Sequence, residues 1–135
     1  MLWKRIVVEN FERLLLLRDG QFDRILMPGE YRVGILPCHT IEAERHDARK
    51  LVFRSVWADY LVREHPELVS RYFTCVETSE TEIAMVYANG ELFRVLAPVR
   101  RLLFWRGMAD IVAEIVTVIA GPSETLERQE APAGR

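Results

Sequence analysis

Lysine is almost missing from this sequence. Of 18 basic residues only Lys4 and Lys50 are lysines, and 20 acidic residues leave a net charge of −2. No global basic field points to nucleic acid. Cysteine is as scarce, with Cys38 and Cys75 the whole set. Two thiols make no disulfide framework. The opening stretch, Met1-Leu2-Trp3-Lys4-Arg5-Ile6-Val7-Val8-Glu9, lacks the apolar run of a signal peptide. Both thiols are therefore expected to be reduced, in a cytoplasmic compartment. No uncharged apolar run reaches the ~18 residues of a membrane span. Serine occurs only at Ser55, Ser70, Ser79 and Ser123, never within Gly-x-Ser-x-Gly. Gly-x-Gly-x-x-Gly and phosphate-binding loops are absent too. These gaps point away from an enzyme, and no cofactor or metal is expected.

What remains is ordinary globular material. The chain has 135 residues, half of them hydrophobic and 28% charged. That suits one compact domain or two very small ones. It excludes disordered and low-complexity classes. The organising feature is an internal repeat. Sliding the sequence by 70 residues aligns Glu12 with Glu82, Gly20 with Gly90, Arg24 with Arg94 and Leu26 with Leu96. It also aligns Pro28 with Pro98, Ile41 with Ile111, Ala43 with Ala113 and Glu44 with Glu114. Chance would give about two such identities over this span, given ordinary residue usage.

Each copy reads as β. Leu14-Leu15-Leu16-Leu17, then Asp19-Gly20, then Phe22-Asp23-Arg24-Ile25-Leu26 predicts a hairpin closed by a type I′ turn. Ile83-Ala84-Met85-Val86-Tyr87, Asn89-Gly90 and Leu92-Phe93-Arg94-Val95-Leu96 predict its twin. Gly20 and Gly90 are the structural turn residues. Pro28-Gly29 predicts a following bend, with Pro98 at the equivalent point of copy two and Val99 in place of the glycine. Further strands are expected at 31–36 and 101–105, and end strands at 40–46 and 111–119. Between the copies, Phe53, Val56, Trp57, Tyr60 and Leu61 recur at helical spacing. Asp47 is a plausible N-cap. His65-Pro66 should interrupt the helix, and Pro66 should open a second one bearing Leu68, Val69, Tyr72 and Phe73 on its apolar face. The expected organisation is a mainly β (α+β) chain of two tandem small β modules. These are residues 1–47 and 74–121, joined by a helical linker at 48–73 and followed by a disordered tail at 122–135.

Chemistry is thin. Cys38-His39 and His46-Asp47 fit no standard zinc spacing. They read as a strand-to-loop cysteine and two surface histidines, with a small hydrolase on Cys38 and His39 the remotest of three functional readings. The repeated acids Glu12 and Glu82 read as a solvated strand face. Arg100, Arg101 and Arg106 interleave with Leu102, Leu103, Phe104 and Trp105. Arginines among aromatics can bind single-stranded nucleic acid or an anionic membrane surface. Period-two geometry divides these arginines between two faces, so a half-buried strand is the stronger expectation and no nucleic-acid partner is expected.

The set of motifs resembles a known family. Glu12-Arg13, the leucine strand, Asp19-Gly20, Arg24-Ile25-Leu26 and Pro28-Gly29-Glu30-Tyr31 are similar to the opening of bacterial slipin-like proteins. These belong to the stomatin, prohibitin and flotillin (SPFH, band 7) superfamily. The second copy, with Val95-Leu96-Ala97-Pro98 and Leu103-Phe104-Trp105-Arg106-Gly107, resembles the next module of the same proteins. The resemblance implies a non-enzymatic scaffold or protein-interaction module. It implies peripheral membrane association, at the inner face, only through a downstream region that this sequence does not contain. One last expectation comes from the residues. The 111–119 strand is apolar on both faces, so it must be covered on both. Ile111, Ala113, Ile115, Val116 and Val118 are the interface candidates of a homo-oligomer, most simply a two-fold dimer.

Overall fold

The computed structural model describes residues 2–35 and 39–118. Cys38, Ile119 and the 122–135 tail lie outside the described residues. The chain is mainly β, built from small antiparallel sheets with two short helices. It divides into two compact units. The first comprises Met1–Cys75 with Leu103–Ala109, the second Val76–Leu102 with Asp110–Arg135.

In the first unit, β1 (Leu2–Val8) pairs with β4 (Gly29–Ile35). β2 (Glu12–Arg18) lies between β3 (Gln21–Leu26) and β5 (Ile41–Asp47). A 3₁₀ turn, Ala48–Lys50, leads to β6 (Val52–Phe53) and to helices α1 (Ala58–Glu64) and α2 (Pro66–Tyr72). β7 (Phe73–Glu77) follows and runs into the second unit. There β8 (Glu82–Ala88) lies between β9 (Glu91–Leu96) and β11 (Ile111–Thr117). β10 (Arg101–Trp105) returns the chain to the first unit and is central in the sheet β6-β10-β7.

The sheets β3-β2-β5 and β9-β8-β11 have the same register at an offset of 70. Leu14 faces Leu26 as Ala84 faces Leu96, and Leu16 faces Arg24 as Val86 faces Arg94. The irregularity between Leu16 and Leu17 recurs between Val86 and Tyr87. Arg18 pairs with Ile41 as Ala88 pairs with Ile111. The turns agree as well. Asp19 and Gly20 have φ of 53° and 76°, and Asn89 and Gly90 have 52° and 84°. Paired positive φ values are what a type I′ turn demands. Asp19 Oδ1 accepts from Thr40 N, and Asn89 Oδ1 accepts from Asp110 N, each at 2.9 Å. His39 and Thr40 both bond the Asp19 carboxylate and hold its pKa below the usual range. This agreement is consistent with the repeat read from the sequence.

Two cores form in the first unit. Ile6, Val8, Leu14, Leu16, Leu26 and Val33 close the space between β1-β4 and one face of β2-β3. On the other face, Leu15 and Ile25 join Phe53, Leu61, Val69, Phe73, Leu103 and Trp105. The helices therefore cover the outer face of the β2-β3 hairpin. Burying a large apolar side chain is worth about 1.5–3 kcal/mol, which outweighs the weak helicity of two seven-residue helices on their own.

The linker differs from the helical expectation. Phe53 lies in β6, Val56 is 90% exposed, and the helix begins only at Ala58. The cause is local. Leu51 adopts φ 67°, and Phe53 pairs with Leu103, so the backbone is spent on a strand. Ser55 then organises the helix start, accepting from Trp57 N at 3.0 Å while donating to Glu44 at 2.6 Å. Phe73, expected on the α2 face, instead begins β7. In β10, a central strand with neighbours on both edges, Leu103, Phe104 and Trp105 are buried while Arg101 and Leu102 are partly buried. His46 is partly buried rather than a surface residue, since its ring packs tilted against Phe53 and Trp105.

Asp47 caps the 3₁₀ turn, accepting from Arg49 N at 3.0 Å. The Arg49 side chain donates to both carboxylate oxygens and depresses the Asp47 pKa to about 2. A carboxyl depressed on folding stabilises above its ordinary pKa of 3.8, and that contribution is lost as pH falls through about 2. Asp47→Asn keeps a capping oxygen and removes the charge. It should flatten the stability profile between those pH values, as measured by urea unfolding at a series of pH values. An unchanged acid slope contradicts the assignment.

Candidate functional site

Residues paired directly across a sheet point to the same face. In the second unit this places Ile83, Met85 and Tyr87 of β8 with Leu92 and Val95 of β9 and with Val112, Glu114 and Val116 of β11. Seven of these eight side chains are apolar, and Glu114 is the only charge. None of the eight is fully buried. Leu92, Val95 and Val112 are each more than half exposed, at 57%, 54% and 53%. A contiguous apolar face left to solvent marks an interaction surface.

The first unit provides an internal control. Ile25 and Val95 occupy the same register position, yet Ile25 is 6% exposed and Val95 is 54%. Leu15, the counterpart of Met85, is fully buried. The difference is the cover. Leu61 and Val69 of α1 and α2 pack with Leu15 and Ile25. Among the described residues the second unit has no helix.

The edge strands diverge in the same direction. β5 reads Ile-Glu-Ala-Glu-Arg-His-Asp, and its charges guard an open edge. β11 reads Ile-Val-Ala-Glu-Ile-Val-Thr and carries one charge. Of the interface candidates from sequence, Val116 lies on the uncovered face. Ile111, Ala113 and Ile115 lie on the opposite one, with Ala84, Val86 and Leu96. Ile115 is nevertheless exposed, as is Val118, which lies past the strand end. The sequence reading missed Met85, Tyr87, Leu92 and Val95 as members of this surface. The pairing register that joins them to β11 was their signal.

The other candidates separate. Arg100 and Arg101 belong to the second unit and Arg106 to the first. Arg106 is turned to the main chain, donating from Nε to Phe73 O at 2.9 Å. His39 pairs with Asp19. Cys75 is exposed. Ser55, Glu44 and His46 meet, but both Ser55 Oγ and His46 Nε2 bond the same Glu44 oxygen. The hydroxyl does not face the imidazole, as a nucleophile and its base must. An open cleft of about 420 Å³ at the α1–α2 elbow is lined by Glu64, His65, Pro66, Glu67, Leu68 and Arg71 and presents no nucleophile. Among the described residues no three His, Cys, Asp or Glu side chains are grouped to hold a metal ion. No helix among them is long and apolar enough to cross a membrane.

Pro98-Val99 departs from the first copy in a measurable way. Val99 has φ 56°, a region that β-branched residues resist. Its counterpart is Gly29 at φ 150°. The strain persists because Val99 N bonds Ser79 O and the next residue is clamped by Thr78. Val99 is 62% exposed, so little packing opposes its removal. Val99→Gly is expected to stabilise the chain by about 1 kcal/mol, read as a raised midpoint in chemical denaturation. A lowered midpoint contradicts the strain.

Comparison of the chain with protein-family models, with curated proteins and with solved structures found no match in any of the three.

Proposed function

We propose that this chain is a non-enzymatic scaffold or protein-interaction module, of the kind its resemblance to the N-terminal region of slipin-like proteins implies. Its assembly surface is the apolar face of β8, β9 and β11, and a second copy of the chain occupies it. The supporting observation is the contrast between equivalent sheet faces, one sealed by α1 and α2 and the other left open. The face suits a copy of itself. It carries no base that would need an acidic partner, and its one acid, Glu114, lies on the edge strand where the carboxylate can stay in water. Two such faces can stack about 10 Å apart in the usual aligned packing of sheets. A two-fold axis then closes the assembly and leaves no second patch open. The same resemblance implies a cytoplasmic location, at the inner face of the membrane.

Light scattering at tens of micromolar tests this reading. The expected mass is about twice 15.7 kDa, and Val116→Glu should lower it. A clean monomer, with Val116→Glu unchanged in mass and folded, contradicts it. The alternative of an anionic polymer surface on Arg100, Arg101 and Arg106 must do without Arg106, whose Nε is committed to Phe73.

A further inference from the structure

We infer that the open face of β8, β9 and β11 receives the outer face of the β1–β4 ribbon of a second copy, with Trp3 as its anchor. This rests on the reading that a second copy covers that face, and it names the part of the copy that enters. Directly paired residues share a face, and successive residues of a strand alternate. The register of β1 with β4 therefore puts Trp3, Arg5 and Val7 on one side with Gly34, Arg32 and Glu30. The other side carries Ile6, Val8 and Val33, which are buried in the first unit. The outer side is left to solvent. Trp3 is 59% exposed, and Arg5, Glu30 and Arg32 are exposed as well. Opposite Trp3 stands Gly34, which has no side chain to cover the indole. A tryptophan standing clear of its own fold offers a large, rigid apolar area that loses little freedom on binding.

The chain already makes this contact once within its first unit. At the offset of 70, Trp3 corresponds to Phe73, Leu15 to Met85 and Ile25 to Val95. The alternation of β1 agrees with that of β7, since Ile6 and Val8 are buried as Val76 and Thr78 are. Phe73 is 1% exposed and shares the larger core with Leu15 and Ile25. An aromatic residue near the start of one copy thus closes the hairpin face of the other. Trp3 is such an aromatic residue without a face, and Met85 with Val95 is such a face without its aromatic residue. Two chains can complete each other. Charge favours the ribbon over a second sheet face. Arg5 is paired with Glu30, and among the described residues no ion pair involves Arg32. The ribbon therefore presents one positive charge in excess, while Glu114 is the one charge of the open face. Stacking two like faces brings two carboxylates and no base, whereas the ribbon brings a guanidinium. In a two-fold dimer each chain gives one ribbon and receives one.

Light scattering of single variants and fluorescence anisotropy of a mixed pair test the contact. Trp3→Phe installs the residue of the internal contact and should keep the dimer. Trp3→Ser, checked for its fold by circular dichroism, should weaken self-association about 100-fold or more, since both contacts of the dimer lose their anchor. Val95→Glu should do the same from the other side. The two variants mixed still form one intact contact, the Trp3 of the Val95→Glu chain on the open face of the Trp3→Ser chain. Labelled Trp3→Ser chain titrated with unlabelled Val95→Glu chain should therefore bind at least about tenfold more tightly than either variant binds itself. A Trp3→Ser chain as dimeric as its parent, with Met85→Lys monomeric, overturns the inference and leaves the open face an interface of like sheets. A mixture no tighter than its components overturns it as well. A parent that is monomeric throughout overturns the reading of the face itself, and this inference with it.

Discussion

Trp105→Ala is expected to lose about 3–5 kcal/mol of stability, the cost of removing a large buried aromatic side chain. Trp105 is 1% exposed in the larger core of the first unit. Its ring lies 4.5 Å from Phe73, 5.1 Å from Phe53 and 5.8 Å from His46, so one truncation opens a cavity against three rings. Neighbours pinned from both sides of a central strand cannot collapse far into it. The indole is not there for a hydrogen bond, since Nε1 is buried without an acceptor among the described residues. Trp105→Phe removes that orphaned donor along with part of the volume and should cost less than half as much. Chemical denaturation of both variants checks the pair. Equal losses contradict the claim that packing, and not the N–H group, holds the residue.

The second large effect is a reciprocal one. Ile25→Glu and Val95→Glu change equivalent positions of the two sheets. In the first, a carboxylate is forced between the hairpin and Leu61 and Val69, into a cluster of apolar side chains. Burying an unpaired charge costs several kcal/mol, so Ile25→Glu should leave the first unit unfolded or nearly so. In the second, the carboxylate points from an exposed face. Val95→Glu should fold as well as the parent chain, yet weaken self-association about 100-fold or more, because only the dimer desolvates the charge. Circular dichroism reads the first outcome and light scattering the second. If both variants unfold, the uncovered face is already a core. If neither changes anything, it is not an interface.

Hairpins and their turns were legible because their signals are local. Asp19-Gly20 and Asn89-Gly90 specify the turn by themselves, and the short apolar runs before them specify the strands. The pause at His65-Pro66 was legible for the same reason. β1 and β7 were not read as strands. In β1, Lys4 and Arg5 interrupt the apolar pattern, and pairing with β4, a partner distant in sequence, decides its state. Phe73 fits a helical face in the sequence, and only its place in the β6-β10-β7 sheet makes it extended. The helix expected from Phe53 failed likewise, since pairing between Phe53 and Leu103 overrode a periodicity that sequence shows without its context. The candidate surface was half visible. The apolar character of β11 can be read from its residues. The contribution of Leu92 and Val95 cannot, because it depends on which face lacks cover.

The most direct test of the proposed assembly places a charge at the centre of the open face. Met85 lies on the middle strand, directly across from Val95 on one side and Glu114 on the other. In a monomer Met85→Lys can pair with Glu114 and should leave folding intact. In a dimer the same ammonium would be trapped between two apolar sheets. Sedimentation equilibrium of the parent and Met85→Lys chains, from micromolar to 100 micromolar loading, measures both. The account predicts a parent that sediments as a dimer at the upper end and a Met85→Lys chain that stays monomeric throughout, with unchanged circular dichroism. A parent monomeric at every loading, or a dimer that survives Met85→Lys, contradicts it.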